Sequence, residues 1–222
     1  MGSIIALCNH FCYYASMALV KLLLPRTLVG FNEATDTVFF LAGPIKGAGD
    51  WQNEAIDILQ KYADTLDGRD NVYVVCPSMY QPNHKSYSLR VMGIIEENYT
   101  EKQRKITYSR TDWERYHLEI ASRLGCIIFW LGKEDEKNPR KREDGPYARD
   151  TYGELGEWRA RMYYERKYNN TQINLVLGAN SDFHGLEQID RNFKRMVGES
   201  FQISTTLDET VRRAVSLQRV KK

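Results

Sequence analysis

Metal-binding side chains are scarce in this chain, which has four cysteines and four histidines among 222 residues. Cys8, Cys12, Cys76 and Cys126 show no ligand-like pairing with the histidines, so neither a metal nor any other cofactor is expected. Cys76 and Cys126 fall inside apolar runs and read as small buried hydrophobes of a reducing compartment, which makes the cytoplasm the expected location. An excess of one charge is also missing. The net charge is +2 with 27% charged residues, and no basic stripe interleaved with aromatics runs along the chain. Nucleic acid is therefore not an expected partner. There is no internal repeat and no low-complexity tract.

An uninterrupted membrane span is lacking as well. Ile4 to Val20 is largely apolar and Leu22-Leu-Leu24 extends it, but Asn9, His10 and Lys21 break a run that would need about 20 apolar residues. The basic start of a signal peptide is absent. Met1-Gly2 is followed by Ala6 where a myristoylation signal has Ser or Thr. Residues 1–36 are read as an accessory apolar helical segment, packed on the main domain or on an oligomer partner. Membrane association through residues 1–24, with Cys8 and Cys12 as lipidation candidates, and a disordered or processed leader are the alternatives. Residues 37–222 form the main domain.

Within that domain, strands alternate with helices. Val38-Phe-Phe-Leu-Ala42, Val72-Tyr-Val-Val-Cys76, Cys126-Ile-Ile-Phe-Trp-Leu131 and Ile173-Asn-Leu-Val-Leu177 are apolar, β-branched runs bounded by Gly, Pro or polar residues. A short fifth strand is expected near Phe201. Helical spacing of apolar residues predicts helices from about Asp50, from Asp112 to Leu124, from near Glu154 to about Tyr168, and from Leu207. This order implies an α/β fold, a doubly wound parallel sheet of about five strands in the flavodoxin-like manner. Two long connections, 78–108 and 133–149, leave the carboxyl ends of strands, where open α/β sheets bind ligands. The second is read either as a lid or as a solvated surface loop.

The chemistry concentrates in Asp150-Thr-Tyr-Gly-Glu-Leu-Gly-Glu-Trp158, a set of carboxylates where a loop becomes a helix. Glu154 falls in or near the first helical turn, where the helix dipole favours its ionised form. It is the candidate nucleophile, base or charge stabiliser, and Glu157 is its rival one turn on. A second candidate is the turn Gly43-Pro-Ile-Lys-Gly-Ala-Gly-Asp50, whose glycines permit close backbone approach to a ligand ahead of a helix N-terminus. Gly43, Pro44, Ile45, Lys46, Asp50 and Asp150 are candidate substrate contacts. Trp51 and Trp130 are candidates for stacking on a nucleobase, with helix and core packing as the competing roles.

Taken together, these segments resemble the nucleoside 2-deoxyribosyltransferase family, including the related deoxynucleoside 5′-monophosphate N-glycosidases. The resemblance rests on Phe40-Leu-Ala-Gly-Pro-Ile45 with Asp50-Trp51, on Trp113 and the Leu118 to Leu131 helix–strand unit, and on Glu154-Leu-Gly156. It covers roughly residues 37 to 180. It implies a nucleoside or nucleotide substrate, attack of Glu154 on the anomeric carbon, transfer of the sugar to a second base or to water, and a homo-oligomer with pockets at subunit contacts. A carboxylate at that carbon stabilises or captures the oxocarbenium-like state through which an N-glycosidic bond breaks.

By the same resemblance Lys46 favours a 5′-phosphorylated substrate, although Pro44 replaces the usual serine. Two further positions depart from the pattern. Phe39 stands where many members carry a tyrosine bonded to the catalytic glutamate, and Gly125 where an aspartate commonly assists. Asp112, Glu119, Asp150 or a residue of the 78–108 insertion are the candidates to substitute. A catalytically inactive nucleotide-binding or sensing module is the competing expectation. A third reading, a flavin between Trp51 and Trp130, lacks a matching phosphate loop.

Overall fold

A computed structural model describes residues 19–66, 69–78, 85–94 and 98–219. Its core is a six-stranded sheet in the order β1-β3-β2-β4-β5-β6, with every pairing parallel. The strands are β1 (Leu19–Leu23), β2 (Asp36–Ala42), β3 (Asn71–Val75), β4 (Cys126–Leu131), β5 (Leu175–Ala179) and β6 (Ile203–Ser204). The helices are α1 (Trp51–Ala63), α2 (Glu101–Tyr108), α3 (Arg110–Leu124), α4 (Arg149–Tyr164), α5 (Leu186–Val197) and α6 (Leu207–Arg219).

The expected doubly wound α/β fold is present, and the run from β3 to β6 has the flavodoxin-like order. Strand alternation divides the core into two layers. Phe39 and Leu41 of β2, with Cys126, Ile128 and Trp130 of β4, pack beneath α1 and α6. Val38, Phe40 and Ala42, with Ile127, Phe129 and Leu131, pack beneath α3, α4 and α5. Both central strands are buried along their whole length, which explains their continuous apolar sequence.

The amino-terminal reading needs correction from Leu19 onward. Leu19–Leu23 is a strand, not part of an accessory helix, and it pairs in register with Asn71–Val75 at the edge of the sheet. The following segment is tied to the same body. Trp113 Nε1 donates to the Thr27 carbonyl at 2.8 Å, and Leu28 is buried in the α3 layer. Four β-branched or leucine residues in five favour strand pairing once an apolar sheet edge is offered. The helix expected for residues 1–18 lies outside the described residues. The sheet therefore has one strand more than expected. No helix among the described residues is long and apolar enough to cross a membrane.

Candidate functional site

Because β2 sends its connection toward β3 while β4 lies on its other side, the sheet has its topological switch between the carboxyl ends of β2 and β4. The Gly43–Asp50 turn leaves one of these ends, and the 133–149 connection leading to α4 leaves the other. Both α3 and α4 begin at this edge, since α3 runs down into β4 and α4 follows it.

Glu154 lies in the second turn of α4 and faces a groove between α3 and α4 of about 410 Å³, lined among others by Glu114, Arg115, Glu119, Glu157, Trp158 and Arg161. Leu155 and Trp158 anchor the inner side of the helix. Ion pairs bridge the groove lower down: Arg161 to Glu119 at 2.6 Å and Arg115 to Glu157 at 3.9 Å. Higher up, Glu114 and Glu154 both line the cleft, so that carboxylate meets carboxylate instead of its opposite. Among the described residues the Glu154 carboxylate has neither a hydrogen bond nor an ion pair.

The expectation that the helix N-terminus keeps Glu154 ionised is not met. Burial pushes its carboxyl up to about 7, reinforced by the charges of Glu114, Asp150 and Glu157 and opposed by Arg110. The macrodipole fades beyond the first turn, whereas desolvation and like charge both favour the protonated form. Glu157 is paired with Arg115 and about half exposed. Of the two rivals, Glu154 is therefore the shielded and unpartnered one.

Glu114 was not singled out by the sequence. Its carboxyl is also raised, chiefly by burial and against the pull of Arg110, whose Nε donates to it at 2.8 Å. Arg110 reaches further, its guanidinium donating to the Pro77 carbonyl beyond β3. The available signal was the four-residue spacing of Arg110 and Glu114, which places an ion pair on one helix face. Of the proposed substitutes, Asp150 contributes charge to Glu154 while pairing with Arg149 at 3.1 Å. Glu119 is held by Arg161, and Asp112 bonds to Ser109 at the start of its own helix.

The glycine-rich turn is occupied differently. Gly43 (φ 148°) lies against the Trp130 carbonyl, 2.3 Å from where a Cβ would stand. Gly47 (φ 74°) lies equally close to the Arg140 backbone, at 2.5 Å. These glycines accommodate the protein's own chain. The Pro44 carbonyl accepts from Trp51 Nε1 at 2.8 Å, Ile45 is partly exposed, and Asp50 starts α1 and accepts from Asn53 at 2.5 Å.

Loop 133–149 lies over this turn. Asp135 N donates to the Gly47 carbonyl at 2.7 Å, Ala48 bridges to Glu134, and Lys46 pairs with Asp144. Tyr147 Oη donates to the Gly132 carbonyl at 2.7 Å. Trp51 and Trp130 are 5% and 6% exposed, so neither offers a ring face for stacking. Gly49, Asp50, Trp51 and Trp130 line a cleft of about 800 Å³ beneath the loop, distinct from the Glu154 groove. The sequence candidates thus separate into two places instead of converging.

The two departures from the family pattern acquire structural reasons. Phe39 faces the α1–α6 layer, whereas Glu154 belongs to a helix on the opposite face, so a hydroxyl at position 39 would point away from α4. Gly125 ends α3 at the amino edge of the sheet, and a Cβ there would lie 1.8 Å from the Val38 carbonyl. No side chain fits.

Among the described residues, no three His, Cys, Asp or Glu side chains gather as a metal site. Comparison with protein-family models and with curated proteins gives no match.

Proposed function

We propose that the chain cleaves the N-glycosidic bond of a nucleoside or nucleotide, or transfers its sugar to another base, with Glu154 as the nucleophile. The observation that carries this reading is the unpartnered, shielded Glu154 carboxylate in a cleft of small-molecule size, on the helix that follows a central strand. It agrees with the resemblance of the Glu154-Leu-Gly156 segment to the nucleoside 2-deoxyribosyltransferase family. In its ionised form Glu154 attacks C1′ as the base departs, and the glycosyl ester then passes to water or to an acceptor base. The outcome with an acceptor base retains configuration, because two displacements occur at the same carbon.

Substrate phosphate is a separate question. Lys46 is committed to Asp144, so recognition of a 5′-phosphate there requires the loop contact to exchange. A binding module without catalysis is the competing reading, and the upward displacement of the Glu154 carboxyl, which favours the non-nucleophilic protonated form, is what favours it.

Incubation with a panel of nucleosides and 5′-monophosphates, with and without acceptor base, tests the proposal by chromatography of released base. Glu154→Gln is expected to lower turnover by roughly 10⁴-fold or more while the protein stays folded. Full activity in that variant would remove Glu154 from the role. Ligand-induced thermal stabilisation without base release by the wild type would favour the binding module.

A further inference from the structure

We propose that a pocket at the amino edge of the sheet binds a small organic phosphate, a phosphate monoester on an apolar or aromatic body. The pocket exists because β6 is short. It pairs only with Leu177 and Gly178 of β5, so Leu175 and Val176 have no strand beside them on that side. The space left there, about 690 Å³, is closed by the carboxyl ends of α4 and α6 and by the chain between α5 and β6. It shares no lining residue with the Glu154 groove or with the cleft beneath loop 133–149. Phosphate binding here and N-glycosidic cleavage there therefore stand or fall separately.

Two arginines supply the charge. Arg166, just beyond α4, donates through Nη1 to the Val197 carbonyl at the end of α5. Arg213 of α6 donates through Nη1 to the Gln202 carbonyl and to Ser204 Oγ, each at 2.9 Å. These acceptors are neutral. They fix both guanidinium groups without cancelling either charge, and among the described residues no carboxylate forms an ion pair with Arg166 or Arg213. No acidic side chain lines the pocket. The acids are sorted to the other side of the same stretch of chain: Glu199 lines a neighbouring cleft with Glu187, Asp190 and Glu209, whereas Ser200 beside it lines this pocket. Two uncancelled positive charges match the charge of about −1.5 to −2 that a phosphate monoester carries near neutrality, and the guanidinium fork suits its oxygens. Met162, Ile173, Val197, Phe201 and Leu217 provide an apolar wall, which an aromatic body can cover and inorganic phosphate cannot.

The probe is phenyl phosphate, titrated into the whole chain by calorimetry, with inorganic phosphate and phenol as the two halves of the molecule. Phenyl phosphate is expected to bind at roughly millimolar concentration or below, and at least about tenfold more tightly than either half. Arg166→Gln and Arg213→Gln are each expected to weaken it by about tenfold or more. Ser200→Asp brings a carboxylate to the pocket from an exposed position and leaves both arginines in place. It is expected to weaken binding as much, and it decides the matter if thermal melting shows that an arginine variant has lost its fold. Absence of binding, equal affinity for phenol and phenyl phosphate, or unchanged affinity in the folded arginine variants or in Ser200→Asp overturns the assignment.

Discussion

At the scale of residues, two shielded titratable groups set opposing demands. Glu154 has its carboxyl raised to about 7, above its unfolded value, so the folded state holds the proton more tightly. Stability is then highest below the unfolded carboxylate range and declines as pH rises from about 4.5 through about 7. The group's full effect is on the order of 2–3 kcal/mol. Chemical denaturation of Glu154→Gln should show a flatter decline than wild type between pH 5 and 8. An unchanged slope would mean that Glu154 is solvated.

His117 acts in the other direction. It is fully buried against Phe31, Trp113 and Tyr116, and its Nδ1–H donates to the Trp113 carbonyl at 2.9 Å. Burial lowers its pKa to about 4. Its contribution is present above about pH 6.5 and is lost as pH falls toward 4. His117→Phe should therefore weaken the acid dependence while leaving the alkaline side unchanged. Residue identities in the sequence pointed to Glu154, but not to its protonation state, which depends on neighbours from another helix. Phe39 and Gly125 looked like missing catalytic groups because a linear comparison carries no information about which sheet face or which edge a position occupies.

Among the elements, α4 breaks a rule of helix composition. Gly153 and Gly156 lie in its interior, and a Cβ at either would meet nothing within 4 Å. Replacing each with alanine is expected to stabilise the protein by roughly 1 kcal/mol, or about 2–4 °C in Tm. A loss of stability would show that this helix face is covered in solution, which analytical ultracentrifugation of the variant would detect as a change of mass. Gly125→Ala contrasts sharply. Its methyl group would collide with the Val38 carbonyl, and a destabilisation above about 3 kcal/mol is expected in urea titration. The helices were legible because much of their apolar spacing survives in the packed structure: Leu155 and Trp158 in α4, Val211, Ala214 and Val215 in α6, while in α3 Trp113 is buried and Tyr116, Ile120 and Leu124 of the expected inner face are only partly buried. The capping box of α2, with Thr100 and Gln103 exchanging hydrogen bonds, was present in the sequence but hidden in a polar stretch without periodicity. Loop 133–149 showed its charges and its prolines, but its partners lie far away in sequence, on the Gly43–Asp50 turn.

For the whole molecule, alternation of strands and helices was enough to anticipate a parallel sheet wound on both faces. What it did not supply was the edge. The Leu19–Leu23 segment resembles any other part of an apolar leader until β3 is in place to receive it, because its partner is not its neighbour in the chain. Leu22 and Leu23 are completely buried, and β1 gives β3 a pairing partner along its full length. A protein shortened to start at Thr37 would uncover a line of unsatisfied amides and carbonyls beside Val72 and Val74, a template for adding strands from other molecules. Its solubility, followed by light scattering on warming, should fail at lower temperature than that of the longer protein. The outermost strand thus guards the sheet against indiscriminate polymerisation, a protective duty unrelated to any reaction at the opposite end of its strands.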